Sequence, residues 1–384
     1  MSDRLARYAR TLAGLERKGR RRALLPEGGK DFTSNDFLGL AASPRLIGAV
    51  EEALARGVPI GSGGSRLLRG NHPEHEALEA EAAAFFGVEG SLYFGNGFTA
   101  NLALFSTLPQ REDCIFYDAL VHASALDGIA QSKAGAVAFA HNDMNALEDA
   151  LVAWRQGGCR GTPWLAVESL YSMDGDFAPF ADLVSLADRH DAFLVVDEAH
   201  ATGVHGAGGR GAASHLEGRD NVISLHTCGK GLGSSGALLG GPTVLIDYLV
   251  NRARPFIYST APSPLMAATV REALRIVADE PERRESLRDI VSLTGDLLRQ
   301  RLGIEPGPSQ IIPVPIGDNA RSVRIAQHLR RQGFDVRAIR PPTVPEGTAR
   351  LRLSVTLNVT RDDVSAMVEA LGAALEAEQQ GVPA

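Results

Sequence analysis

Two short apolar runs, Phe193-Leu-Val-Val196 and Val222-Ile-Ser-Leu225, constrain this chain more than any other feature, because each is bounded by turn residues and each ends in chemistry. Such runs fit strands buried on both faces, the pattern of a parallel sheet. Asp197 follows the first run directly and His200 stands three residues on; Thr227 and Lys230 follow the second. Ligands of open α/β sheets bind outside the carboxyl ends of the strands. A carboxylate, an imidazole, a hydroxyl and an amine are therefore expected around one crevice.

That set suits pyridoxal phosphate. A lysine between glycines can form a Schiff base with the aldehyde, and a buried carboxylate can keep the pyridine nitrogen protonated so that the ring accepts electrons. Thr227 and nearby backbone amides can hold the phosphate. Plainer readings compete. An aspartate after a strand is commonly a cap or turn residue, and a lysine is commonly solvated. Gly231-Leu-Gly233-Ser-Ser-Gly236 matches the glycine pattern of dinucleotide loops, yet Asp247 arrives too early to be their acidic partner. Thr227-Cys-Gly-Lys230 echoes the serine–lysine motif of acyl enzymes without its serine.

The rest of the chain extends the α/β pattern. Residues 1–42 read as an N-terminal arm with a helix near Arg4–Lys18, and Ser43 with Pro44 opens a helix whose Leu46, Val50 and Leu54 share a face. A helix over Pro73–Phe86 should stop at Gly87. A strand over Ser91–Phe94 leads into Gly95-Asn-Gly97-Phe98, whose amides can meet an anion. Strands at Cys114–Tyr117 and Leu165–Val167 and a helix over Phe180–His190 complete a large domain, 43–280, with a mostly parallel sheet covered by helices on both faces. Residues 281–384 read as a small α+β domain: a helix from Arg284 to Arg301, a strand at Pro313–Ile316, a helix over Ser322–Arg331 and strands at Asp335–Ile339 and Arg350–Val355. Thr360 and Asp363 cap the last helix, with Val364, Met367, Val368, Leu371 and Leu375 as its apolar stripe. On the Arg350 strand the leucines take one face, so Arg350 and Arg352 project together from the other. Arginine's fork matches a carboxylate.

Composition excludes several classes. The 384 residues are 44% hydrophobic, enough for a large core. A net charge of −7 offers no footprint for nucleic acid, and no apolar run reaches the length of a membrane span. Cys114, Cys159 and Cys228 are odd in number and far apart. They imply a reducing, cytoplasmic location, with neither a disulfide framework nor a metal site. The arginine-rich N-terminus lacks the apolar core of a signal peptide, which favours an amphipathic helix.

Four stretches together resemble the α-oxoamine synthases, fold-type I pyridoxal-phosphate enzymes that condense an amino acid with an acyl thioester. They are Ser34-Asn35-Asp-Phe-Leu-Gly-Leu40, Glu168-Ser-Leu-Tyr-Ser172-Met-Asp-Gly-Asp176, Asp197-Glu-Ala-His200 and His226-Thr-Cys-Gly-Lys230-Gly. The resemblance runs from about Arg22 to the last helix, with the motifs in the family's order. It implies that Lys230 carries the cofactor and Asp197 pairs with its ring nitrogen. His122 would stack on the ring, with His200 and Ser172 bonded to the cofactor and Gly97, Phe98 and Thr227 around it. It implies a homodimer with shared sites, in which Gly61–Arg66 forms an active-site loop and Thr260 (or Ser259) reaches the partner's phosphate. Arg22, Asn35, His122, Thr343 and Arg352 match substrate contacts, Arg352 as receptor of the amino-acid carboxylate. Ala338-Ile-Arg-Pro-Pro-Thr343-Val-Pro is most similar to the biotin-pathway branch, which joins L-alanine to a pimeloyl thioester carried by coenzyme A or an acyl carrier protein. Sister synthases using glycine or serine with other acyl thioesters, and aminotransferases of the same fold, remain as alternatives, as does a non-catalytic partner subunit, which Lys230, Asp197 and His200 argue against.

Overall fold

The computed structural model describes residues 3–380. It divides into two compact units. The larger comprises Leu38–Ser172 and Phe177–Arg284; the smaller comprises Met1–Phe37, Met173–Asp176 and Glu285–Ala384. The N-terminal arm thus belongs to the same unit as the C-terminal part. Backbone pairing explains it: Lys30 and Asp31 pair in parallel with Phe334 and Asp335, and Ser354 N–H donates to the Phe32 carbonyl at 2.9 Å.

The larger unit is built on seven strands. Their order across the sheet is Gly90–Phe94, Ala237–Gly241, Val222–Thr227, Phe193–Asp197, Pro163–Glu168, Cys114–Asp118 and Gly135–Phe139. Ala237–Gly241 runs antiparallel to both neighbours, and the other strands share one direction. Alternation along each strand feeds two cores. Ile115, Ala166, Val195 and Leu225 pack with the helices Gly97–Thr107 and Ala123–Ala130 on one face. Phe116, Leu165, Val167, Leu194 and Val196 pack with Met144–Gln156 and Phe180–His190 on the other. Burial on both faces is what makes the Phe193 run apolar without interruption.

The expected punctuation holds in several places. Pro44–Ala55 begins after Ser43, whose hydroxyl accepts from Leu46 N–H, and Pro73–Phe86 ends at Gly87 in the left-handed region. The face of the Pro44 helix differs: Leu46 and Ala53 are buried and Leu54 is 45% exposed, since the helix packs through Ala53 and Val50 on Leu265 and Ala268.

In the smaller unit the strands Arg337–Ile339, Ala349–Ser354 and Ile311–Gly317 form an antiparallel sheet. The single strand expected at Asp335–Ile339 is two pieces, Phe334–Asp335 pairing with the arm and Arg337–Ile339 with Ala349–Ser354. Leu351, Leu353 and Val355 are fully buried, as are Val364, Met367, Val368 and Leu371 of the last helix, whereas Leu375 is only partly covered. The Thr360–Asp363 capping box is formed.

Candidate active site

The carboxyl ends of the parallel strands point their following loops at one cavity of about 310 Å³, within the range of small-molecule sites. Its wall includes Gly97, Phe98, His122, Asp197, His200, Thr227 and Lys230. Each arrives by a short local device. Asp197 is the last residue of its strand, and the turn after it brings back His200, which is buried. Lys230 lies three residues past Thr227 in the glycine-rich turn that leads to the antiparallel strand. His122 caps the Ala123–Ala130 helix, its Nδ1 accepting from Ser124 N–H.

Lys230 Nζ lies 2.8 Å from His200 Nε2. Asp197 accepts from Ala199 N–H at 3.0 Å and from the Asn101 side-chain amide at 2.8 Å. Asn101 is 2% exposed and also donates to Ser124 Oγ at 3.0 Å, and Ser124 Oγ lies 2.7 Å from His122 Nδ1. One buried amide therefore links the aspartate to the histidine across the cavity floor. Asn101, Ser124 and Glu168 were not singled out from sequence. An asparagine one turn into a helix carries no motif, and its partner lies 96 positions away.

The helix end of the cavity is equally local. The Gly97–Thr107 helix is capped by Asn96, whose Oδ1 accepts from Thr99 N–H at 2.8 Å, so the amides of Gly97 and Phe98 open the helix toward the cavity. A Cβ on Gly97 would stand 2.6 Å from Thr227 Cγ2, so glycine alone leaves the space between helix and hydroxyl open. An amine, a fixed carboxylate, a flat imidazole and a helix N-terminus beside a hydroxyl fit pyridoxal phosphate group by group.

Other expected residues lie elsewhere. Ser172 follows the Glu168 strand with its N–H donating to Glu168 Oε2 at 3.1 Å, and it is not among the cavity-lining residues. Thr260 is exposed beyond the Arg254–Ile257 turn and is likewise outside the lining. Gly61–Arg66 has no regular structure; Arg66 forms a forked pair with Glu79 at 2.8 Å. Arg22, Asn35, Thr343 and Arg352 belong to the smaller unit, where they pair with one another. Arg22 donates to Thr343 Oγ1 at 3.0 Å, and Arg352 donates to Asn35 Oδ1 at 3.0 Å and Ser354 Oγ at 2.9 Å. Arg350, on the same strand face as Arg352, is committed to Asp174 at 2.6 Å.

Comparison with known proteins places this geometry in a family. Residues 29–371 match the family of class I and II aminotransferases. An 8-amino-7-oxononanoate synthase from Chromobacterium violaceum is 43% identical over 342 residues, 88% of this chain and 87% of that one. A serine palmitoyltransferase from S. paucimobilis, solved with a bound PLP–myriocin aldimine, superposes with a TM-score of 0.90 at 27% identity over 99% of this chain and 100% of that one. The 8-amino-7-oxononanoate synthase of Francisella tularensis superposes at 0.77 with 26% identity over 91% and 99% of the two chains. The chain belongs to the 8-amino-7-oxononanoate synthases, a branch of the α-oxoamine synthases within the class I and II aminotransferase fold.

Proposed function

We propose that this protein is a pyridoxal-phosphate-dependent acyltransferase that condenses L-alanine with a pimeloyl thioester to 8-amino-7-oxononanoate, the carbon-skeleton step of biotin synthesis. The observation that carries the chemistry is Lys230 Nζ held 2.8 Å from His200 in a cavity walled by Asp197. The choice of substrates rests on 43% identity across most of the chain with a synthase of that name.

When bound, pyridoxal phosphate supplies a carbonyl that captures amines and a ring that accepts the electron pair left at Cα. The chain's own residues do the rest. Lys230 would hold the group through Nζ, and the same amine would take the alanine Cα proton. Asp197, fixed in place by Asn101 and Ala199, would hold a proton at the ring nitrogen. His122 would pack on the ring, and His200 and Ser172 would orient the group. Thr227 and the amides of Gly97 and Phe98 would bind the phosphate. Arg352, positioned by Asn35, receives the alanine carboxylate, with Arg22 and Thr343 at the substrate. Overall a bond forms between alanine Cα and the thioester carbonyl carbon, the thiol leaves, the former carboxylate departs as CO₂, and Cα regains a proton.

The active form in this reading is a cytoplasmic homodimer in which Thr260 reaches the partner's phosphate. Among the described residues no helix is long and apolar enough to cross a membrane. Product mass spectrometry with alanine, glycine or serine against pimeloyl, acetyl, succinyl and palmitoyl thioesters tests the substrates. Pimeloyl with alanine is expected to give the highest turnover. The 0.90 superposition on a serine palmitoyltransferase favours a second reading, for which serine with palmitoyl thioester would win. Pyridoxamine formation with a keto acid would mark an aminotransferase instead.

A further inference from the structure

Glu168 ends the Pro163–Glu168 strand and lines the cavity, yet no role above uses it. It is 3% exposed. Its register partner on the neighbouring parallel strand is Asp197, so two carboxyl groups stand side by side at the strand ends. Their surroundings differ. Asp197 accepts from the Asn101 amide and the Ala199 N–H. Glu168 accepts at Oε2 from Ser172 N–H at 3.1 Å, while its Oε1 is buried without a hydrogen-bond partner. A bare ionised oxygen in a low-dielectric wall is costly, and adjacent carboxylates oppose each other's ionisation. A neutral acid meets both demands, because its hydroxyl is a donor.

Burial and the neighbouring carboxylates push the same way. Burial is the largest cause pushing Glu168 up to about 8, Asp197 pushes the same way, Lys230 and the Ser172 amide oppose, and Asp118 adds a small rise. Tyr171 in the following turn, with His122 and His200 on the same wall, completes the set.

We propose that Glu168 is a further residue of the cofactor site, a carboxyl group kept in its acid form beside Asp197. Asp197 alone then brings negative charge to the ring nitrogen, and Glu168 Oε1 donates a hydrogen bond to the bound cofactor. This rests on the pyridoxal-phosphate part of the reading above and not on the choice of substrates. Pairs of carboxyl groups whose environments drive them apart in protonation are a recurrent division of labour in active sites.

The test uses the full chain, wild type, Glu168→Gln and Glu168→Ala, stripped of cofactor and titrated with pyridoxal phosphate between pH 6 and 9. Glutamine keeps a neutral donor at every pH. One unit above its midpoint only about a tenth of Glu168 stays protonated, so the wild-type dissociation constant should rise roughly tenfold relative to Glu168→Gln between pH 7 and 9. Glu168→Ala, lacking the donor, should bind several-fold more weakly than Glu168→Gln throughout. Thermal unfolding of the stripped proteins gives a second readout that needs no cofactor. A folded-state value raised above the ordinary carboxyl range means that wild type loses stability as pH rises from about 5 to 8, so Glu168→Gln should gain on it over that window and level off above it. Weaker binding by Glu168→Gln at pH 7, or a ratio and a stability difference that stay flat with pH, would show the anion to be the working form and overturn the proposal. Failure of wild type to bind pyridoxal phosphate would remove the cofactor reading itself, whereas a changed substrate preference would leave Glu168 untouched.

Discussion

His200 Nε2 and Lys230 Nζ stand 2.8 Å apart, joining the turn after one central strand to the turn after the next. Lys230→Ala should abolish borohydride-fixed cofactor and turnover together, with peptide mapping of wild type finding the label on Lys230. His200→Ala should keep the label but lose turnover by about a hundredfold, the low end for a group that handles or positions a proton. Residual turnover of alanine by Lys230→Ala would refute the assignment.

Asp197 is held by two donors, and the proposed ring contact adds a third demand on it. Asp197→Asn keeps the shape and loses the charge. Removing one partner of a buried charge pair costs ~3–5 kcal/mol. Even ~3 kcal/mol in the barrier slows turnover by roughly a hundredfold, so activity should fall far more than cofactor retention. Asn101→Ala should act in the same direction through Asp197 and Ser124. Leaving buried partners without their donor costs ~1–3 kcal/mol, and cofactor affinity by equilibrium titration is the quantity to follow.

Two glycines should separate function from folding. A Cβ on Gly97 would press on Thr227 Cγ2 at 2.6 Å, so Gly97→Ala is expected to weaken phosphate binding while circular dichroism stays native. Gly236 has a φ of +105°, and a Cβ there would meet the Tyr93 ring at 2.3 Å. Tyr93 is buried and its hydroxyl donates to the Ser235 carbonyl, so the ring has no room to yield. Gly236→Ala should therefore lower the melting temperature markedly. Equal thermal losses in both variants would remove this distinction.

What the chain discloses before folding follows from the physics of each element. The Phe193 and Val222 strands are legible because burial on both faces demands continuous apolar runs, and Asp197, Thr227 and Lys230 are legible because they sit just past such runs. Gly135–Phe139 and Ala237–Gly241 are not legible as strands because alanine and glycine dominate them and neither favours a strand. The first is an edge strand with four of its five residues exposed, so no burial pattern betrays it. Asn101 and Glu168 are visible only in three dimensions, since each gains meaning from Asp197 on another element. The arm's union with the C-terminal part rests on two parallel backbone pairs, on Phe32 against Phe334 and on side-chain bonds such as Arg352 to Asn35, partners more than 300 positions apart that no local pattern links.

The last prediction divides two arginines that alternation alone cannot tell apart. Arg350 and Arg352 share one face of the Ala349–Ser354 strand. Arg350 donates to Asp174 Oδ1 at 2.6 Å and to the Met173 carbonyl at 3.3 Å, which ties the strand to the Met173–Asp176 segment of its own unit. Arg352 is 7% exposed and is aimed by Asn35 Oδ1 and Ser354 Oγ. A guanidinium so fixed can meet a carboxylate with both nitrogens, and lysine cannot reproduce that fork. Losing a hydrogen bond to a charged group costs ~1.5–3 kcal/mol. Arg352→Lys should therefore lower kcat/KM for alanine by roughly ten- to a hundredfold, with the acyl-thioester KM and cofactor affinity nearly unchanged. Arg350→Met removes a partly exposed ion pair, worth up to ~1 kcal/mol, and should move the melting temperature more than the alanine KM. Steady-state kinetics in alanine beside thermal melts of both variants decide it. If Arg350→Met carries the alanine defect and Arg352→Lys does not, the carboxylate receptor has been placed on the wrong arginine.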